Sequence, residues 1–390
     1  VKAAKLPKGK YRSIMGNEAT AWGIMAAAER AKLDIFLGTY PITPASDILH
    51  ELSKYKNFNI VTLQAEDEIA GICSSIGASF SGSLAVTSTS GPGLALKGEA
   101  IGLAMMTELP IVIINVQRGG PSTGLPTKTE QSDLLQAVYG RNGESPVIVV
   151  AASTPSDCFD FAYKAATLAV EHMTPVILLT DGFIANGAEP WKIKSVGEME
   201  DITPAKAKEG DEGWNPYTRS EDKLNRTWAV PGTKGLEHRI GGLEKQAITG
   251  NVSYDPNNHE EMVKVRAEKV ARVANFIPNL KVDGEDNADL LVVGWGGTYG
   301  GLHTAVSAMQ TQGKSVAHAH FNFINPLPKN TAEVFAKFKK IVVCELNNGQ
   351  FIKLLQSELP QFNYLQYNKI QGLPFSKSQL VNEFDNLLKA

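Results

Sequence analysis

Apolar and polar positions divide the chain into three textures. From about Gly16 to Gly187, short Val/Ile/Leu runs alternate with amphipathic stretches. "EATAWGIMAAAERAK" predicts a helix with an acidic first turn, and Asn17 is placed to cap it. "DIFLGTY" predicts a strand, "ASDILHELSKY" a helix and "FNIVTLQ" a strand. The helix "EDEIAGICSSIGASFSG" follows, then the strand "LAVTSTS", a Gly-Pro-Gly turn and the helix "LALKGEAIGLAMMT". "PIVIINV", "SPVIVVAA" and "PVILLT" read as further strands. The helix "TPSDCFDFAYKAATLAVEH" lies between the last two, with Pro155 in its first turn. Continuously apolar strands separated by helices imply a parallel sheet covered on both faces, an α/β domain.

The texture changes from about Glu189 to Asp286, where charged residues, Gly and Pro interrupt the periodicity. One helix stands out, roughly "NHEEMVKVRAEKVARVANF". So long a connection is expected to be an ordered wrap over the core or over a partner. A smaller α/β unit begins at Asp289, with three strands: "DLLVVGWGG", "SVAHAHFNFINP" and "KIVVCELNNG". Helices are expected between and after them. The expected division is 1–190, 191–286 and 287–390.

Composition narrows the function. A formal charge of -3 gives no electrostatic footprint for nucleic acid or an anionic membrane. No apolar run approaches the roughly eighteen residues of a spanning helix, and no signal-peptide pattern opens the chain. Cys73, Cys158 and Cys344 lie far apart. They exclude a zinc ribbon or an iron–sulfur cluster built by this chain alone, and they fit a reducing cytoplasm. The first residue is Val, as in a processed chain or one part of a longer product.

Several motifs offer chemistry. "VVGWGGTYGGLHTA" looks like a dinucleotide-binding turn, but Gly300 is one place late after Gly294 and Gly296. The next strand also lacks the acidic residue that would hold a ribose, so a tight strand-to-helix turn is the better reading. His318 and His320 share one strand face; with no third ligand nearby in sequence, they read as ordinary strand residues. "TSTSGPGLALKGEA" offers close backbone approach and a helix start beyond the strand ends, where ligands of open α/β sheets lie. Capping explains Glu66 and Asp67. Glu68 lies further in, above the small positions Gly71, Ser75 and Ala78. That pattern suits a buried carboxyl whose pKa burial would raise. Arg118 ends a core strand and could grip a carboxylate bidentately, or lie at the surface. Lys128 and Thr129 belong to the same loop. In "YPITP", Pro41 and Pro44 restrict the backbone on either side of Thr43.

Together, "GNEATAWG", "YPITPAS", "QAEDEIAGICSSIGASFSG", "TSTSGPGLALKGEAIGLA", "QRGGPSTGLPTKTEQSDL", "ELNNGQ" and "QGLPF" resemble the α subunit of a 2-oxoacid:ferredoxin oxidoreductase. The resemblance runs from Gly16 to Phe375, and "GLPTKTEQSDL" is most similar to the 2-oxoglutarate branch. It implies a pyrimidine-binding domain of a thiamine diphosphate enzyme, followed by a transketolase-like C-terminal domain. By that resemblance, Glu68 hydrogen-bonds N1′ of the aminopyrimidine, Thr43 contacts the substrate carboxylate and Arg118 pairs with it. Tyr40, Pro41, Ser90 and Gly91 would lie against the cofactor, and Lys128 is a candidate for a distal γ-carboxylate. The segment "TDGFIAN" is too short between Asp and Asn to anchor a Mg2+-diphosphate. The resemblance therefore assigns Mg2+ and a [4Fe-4S] cluster to a β subunit. It also implies ferredoxin, CoA and 2-oxoacid as partners, and a dimer of αβ heterodimers. Two alternatives stand beside it: a pyruvate or branched-chain 2-oxoacid enzyme, and a non-catalytic assembly subunit that keeps the fold.

Overall fold

A computed structural model describes residues 6–390. Seven strands form the larger sheet, in the order Phe323–Asn325, Ile148–Ala151, Pro175–Asp181, Ile111–Gln117, Leu84–Thr89, Ile35–Thr39 and Ile60–Gln64. All neighbours are parallel except the first pair. The strand Ile111–Gln117, apolar but for Asn115 and Gln117, is buried along its whole length because both of its faces are covered. Its period of two sends Val112, Ile114 and Val116 into one core and Ile111 and Ile113 into the other.

Five strands form the second sheet, in the order Tyr364–Asn368, Ile341–Glu345, Leu290–Trp295, Val316–Phe321 and Val282–Asp283; the last is antiparallel. Leu291, Val293 and Trp295 share the core that receives Ile111 and Ile113, so the two sheets enclose one continuous apolar interior. Leu290 and Val292 face the other way, under the helices Tyr299–Thr311 and Lys377–Lys389.

The stretch "SVAHAHFNFINP" differs from the single strand expected of it. Val316–Phe321 pairs in the second sheet, while Phe323–Asn325 crosses to pair antiparallel with Ile148–Ala151 in the first. Asn322 is the pivot. Its amide donates to the Ala151 carbonyl at 2.8 Å and to Ser153 Oγ at 3.1 Å, anchoring the chain where it changes sheets.

Asn17 does not cap its helix. The helix Gly16–Ala31 begins one residue earlier, and the buried Asn17 amide donates instead to the Pro44 carbonyl at 2.8 Å. The Gly-Pro-Gly turn is also absent, because Gly91 already opens the helix Gly91–Leu96 and Pro92 fits its first turn.

Much of the long connection packs on the first sheet's helices. Trp228 is fully buried, and its indole N–H donates to the Ser79 carbonyl at 3.0 Å. Arg219, and Lys269 on the helix Pro256–Arg272, both pair with the buried Glu108. Burial alone would raise the Glu108 pKa; these two cations outweigh it and hold the carboxyl well below the usual range. Among the described residues, no helix is long and apolar enough to cross a membrane.

Candidate active site

The candidate residues gather beyond the carboxyl ends of the larger sheet's strands, where ligands of open α/β sheets bind. Asp67 caps the helix Glu68–Phe80 by accepting from the Ala70 N–H at 2.8 Å, which leaves Glu68 in the first turn. The helix lies directly on the strand Ile35–Thr39. A β-carbon on Gly38 would come within 2.4 Å of the Gly71 carbonyl oxygen. Ser75 Oγ donates to the Val86 carbonyl at 2.9 Å, and Ser79 Oγ to the Pro110 carbonyl at 2.7 Å. The close-packed stripe is therefore Gly71, Ser75 and Ser79; Ala78 lies one place off it and is half-buried.

Glu68 is buried at 6% exposure. Its backbone carbonyl accepts from Lys97 Nζ at 2.8 Å, while no described residue hydrogen-bonds its carboxylate. Burial pulls the Lys97 amine down to about 8, against the charge of Glu68 nearby. A β-carbon on Gly93 would lie 2.0 Å from Thr89 Oγ1 and 2.9 Å from Glu68 Oε1, so glycine is what lets the backbone pack this closely against the two side chains. Ser90 Oγ is buried without a partner.

Arg118, also 6% exposed, closes the strand Ile111–Gln117. Its Nη1 donates to the Thr43 carbonyl at 2.6 Å; among the described residues Nε is buried without a partner and no carboxylate forms an ion pair with it. The bond brings "YPITP" and Arg118 together through a backbone oxygen; the Thr43 side chain is exposed. Arg118 opens on a cavity of about 500 Å³ whose wall includes Gly91, Pro92, Glu130, Asp133, Asn347 and Asn348. Glu68, Thr43, Tyr40, Pro41, Ser90 and Lys128 are not part of this wall. Lys128 is exposed, its carbonyl accepts from the Gly119 N–H at 3.0 Å, and its stem lies against Gly372.

Burial raises the pKa of both carboxyls in the wall. At Asp133, bonds from Asn115 and Ser132 oppose that rise; at Glu130, backbone N–H groups do. Neither neutralises Arg118 through a salt bridge, so the cavity keeps a buried cation with free N–H groups. Such a group has the charge and the donors to receive an anion.

Sequence reasoning missed what holds this wall. Gln131 N–H donates to the Leu346 carbonyl at 3.0 Å, and its side chain accepts from Leu346 N–H at 2.9 Å. Gln131 Nε2 donates to the Trp295 carbonyl at 2.8 Å, and Asn347 Nδ2 to the Gln131 carbonyl at 2.8 Å. Gln350 adds bonds to the Ser132 carbonyl and the Leu135 N–H. The motif "ELNNGQ" thus clamps "TEQSDL" across the two sheets. Beneath it the buried Glu345 accepts from Trp295, Asn347, Phe351 and Ile352.

The glycine-rich turn is part of the same junction. Asp181 accepts from Thr129 Oγ1 at 2.8 Å, from the N–H groups of Phe183 and Ile184, and from Gly297. A β-carbon on Gly297 would lie 2.0 Å from Asp181 Oδ2, and Gly296 has φ +53°. These glycines let one unit dock on the other, which accounts for them without a dinucleotide. Among the described residues, no group of three or more His, Cys, Asp or Glu is arranged to hold a metal ion.

Residues 26–253 match the family described as pyruvate flavodoxin/ferredoxin oxidoreductase, thiamine diphosphate-binding. The chain is 52% identical over 388 residues to the 2-oxoglutarate oxidoreductase subunit KorA of Mycobacterium tuberculosis, covering 99% of this chain and 58% of that protein. It is 32% identical over 349 residues to the 2-oxoglutarate synthase subunit KorA of Methanothermobacter marburgensis, covering 88% of this chain and 90% of the relative. Among solved structures it superposes on 2-oxoglutarate:ferredoxin oxidoreductase from Magnetococcus marinus, a complex with 2-oxoglutarate, coenzyme A and succinyl-CoA bound. The TM-score is 0.92 at 34% identity, over 97% of this chain and 66% of that one. A split-gene transketolase, at 12% identity and TM-score 0.56, shares the fold. The chain therefore belongs to the thiamine-diphosphate-binding pyruvate flavodoxin/ferredoxin oxidoreductase family, among the relatives of its KorA α subunits.

Proposed function

We propose that this chain is the α subunit of a thiamine-diphosphate-dependent 2-oxoglutarate:ferredoxin oxidoreductase. The reaction converts 2-oxoglutarate and CoA to succinyl-CoA and CO2, with the electrons passed to ferredoxin, and it is reversible in principle. The observation that carries the reading is Arg118: a buried guanidinium without an ion pair, opening on a cavity at the ligand side of the sheet. The names of the relatives and the ligands of the Magnetococcus complex supply the substrate class.

The residues present fit the aminopyrimidine end of thiamine diphosphate. Glu68 is buried with a carboxylate that takes no hydrogen bond from the described residues, and Gly93 brings the backbone close against it. Ser90 presents a buried hydroxyl without a partner. Glu68 would hold a proton at N1′; Tyr40, Pro41, Ser90 and Gly91 would line the ring. When bound, the cofactor supplies an acidic carbon for attack on the keto group and takes up the electron pair released with CO2. Arg118 grips the carboxylate that leaves, with Thr43 beside it, and Lys128 is assigned the distal carboxylate.

The diphosphate, its Mg2+ and the [4Fe-4S] cluster are assigned to a β subunit, in a cytoplasmic dimer of αβ heterodimers. The proposed boundaries are 1–190 for the pyrimidine-binding domain, 191–286 for the connection and 287–390 for the transketolase C-terminal-like domain. The test is the complex purified from its native source, assayed with several 2-oxoacids, CoA and a viologen acceptor. A cysteine-cluster-bearing second chain, preference for 2-oxoglutarate and a severe loss of activity in Glu68→Gln are expected. Near-normal turnover in that variant would overturn the role of Glu68; a preference for pyruvate would overturn the substrate.

A further inference from the structure

A second cavity, of about 510 Å³, lies at the seam where the chain changes sheets. It shares no wall residue with the Arg118 cavity. Phe161 and Phe323 meet edge to face at 5.5 Å on one side. On the other, Tyr299 stacks on His303 at 5.3 Å with the rings 10° apart, and its ring lies 5.9 Å from His318 and 5.1 Å from His320. Lys281 and Asp283 complete the wall, Asp283 Oδ2 lying 3.1 Å from His303 Nδ1.

The histidines are not accounted for by the fold. His320 Nε2 lies 2.9 Å from the Gly296 carbonyl oxygen, which only accepts, so this nitrogen carries the proton. His320 Nδ1 and His318 Nε2 are buried without any partner, and His318 is only 3% exposed. Burial pushes His318 down to about 4 and His320 well below its ordinary value, so both rings are neutral near pH 7. A neutral imidazole has one donor and one acceptor edge, and buried polar edges of native proteins find partners. The histidines are not arranged as part of a group of three or more metal ligands among the described residues. Flat aromatic walls with a few convergent donors and acceptors, at a junction between sheets, are the usual make-up of a small-molecule site.

We propose that this cavity is a second ligand site, taking a flat nitrogen heteroaromatic of purine size stacked against the Tyr299–His303 side and hydrogen-bonded by His318. The proposal stands on the cavity alone and does not depend on the reading of Glu68 or Arg118.

Adenosine is the probe, titrated into the full chain or its native complex by calorimetry or saturation-transfer NMR, with ribose as control. Saturable binding of adenosine and none of ribose is expected, weakened at least about tenfold in His318→Phe and unchanged in Arg118→Lys. His303→Ala, at a half-exposed position, is the second variant should His318→Phe fail to fold; it removes the ring stacked on Tyr299 and should weaken binding in the same direction. The absence of saturable binding, binding unaffected by both histidine variants, or its loss in Arg118→Lys would overturn the proposal.

Discussion

Arg118→Lys bears most directly on the proposed substrate grip. The guanidinium is 6% exposed, gives Nη1 to the Thr43 carbonyl at 2.6 Å, and keeps its remaining N–H groups for a ligand. Its planar fork can hold Thr43 and still present two parallel N–H groups to a carboxylate; a lysine ammonium has the charge but not that geometry. Each charge-assisted hydrogen bond contributes about 1.5–3 kcal/mol. Losing one and misplacing the other costs about 2–4 kcal/mol, or roughly 30- to 1000-fold in kcat/KM. The gripped carboxylate leaves as neutral CO2, so the grip is at least as strong in the ground state as in the transition state. The loss should therefore fall mainly on KM for the 2-oxoacid, with kcat changed by no more than about threefold. Viologen reduction by the assembled complex at saturating CoA measures both constants, and thiamine diphosphate content serves as the control. A KM within about threefold of the wild type, or a fall in kcat at unchanged KM, would refute the assignment.

Two further predictions concern stability. Burial pushes the Asp157 carboxyl up from 3.8 to about 6, while its bonds from Ser153 oppose the rise. Because the folded value is the higher one, its contribution is complete below about pH 3.8 and is lost as pH rises through about 6. The loss amounts to about 3 kcal/mol. Asp157→Asn keeps an oxygen for Ser153, so it should flatten urea-unfolding stability between pH 4 and 7 and raise it at pH 7. An unchanged pH slope would remove Asp157 as its source. Glu108→Gln strands the buried cations of Lys269 and Arg219 and should destabilise by about 3–5 kcal/mol. Adding Lys269→Met should restore part of that loss in a double-mutant cycle, and strict additivity would show the pair to be uncoupled.

The central strands of the larger sheet were legible because they are near-continuous apolar runs whose alternate residues enter two cores, as at Ile111 to Val116. The break at Asn322 was not. "HAHFNF" alternates straight through Asn322, and only partners far away in sequence, the Ala151 carbonyl and Ser153 Oγ, select the pivot. Local reasoning failed at Asn17 for the same cause: a capping residue was recruited by the Pro44 carbonyl. Arg118 was legible by its place at the end of a core strand. The clamp from Gln131 to Leu346 and Asn347 joins segments more than two hundred residues apart, and amides of that kind carry no periodic signal. The strand Tyr364–Asn368 escaped because an edge strand exposes much of its surface and shows weak patterning; the helix Lys377–Lys389 was overlooked although its Ser376–Gln379 capping box and its apolar face at Leu380 and Phe384 signal it.

The clamp explains how the chain tolerates its candidate site. A buried guanidinium without a counter-ion is costly, and the cheapest relaxation would swing its loop toward water. Ser132 Oγ prevents this at one end by donating to the Arg118 carbonyl at 2.7 Å, and Gln350 holds the Ser132 carbonyl at 2.7 Å. Gln131 fixes the adjoining residues to the second sheet through both its backbone and its side chain. The second unit therefore does more than extend the core: it keeps Arg118 pointed into a cavity that solvation would otherwise empty of it. Gln131 and Asn347 can supply this restraint because they are uncharged and Asn347 donates to the Gln131 carbonyl, so the clamp adds no second charge to compete with an incoming carboxylate. A fold maintained only for stability would have replaced Arg118 by an apolar residue at little cost; a fold that must receive an anion retains the charge and builds the restraint around it.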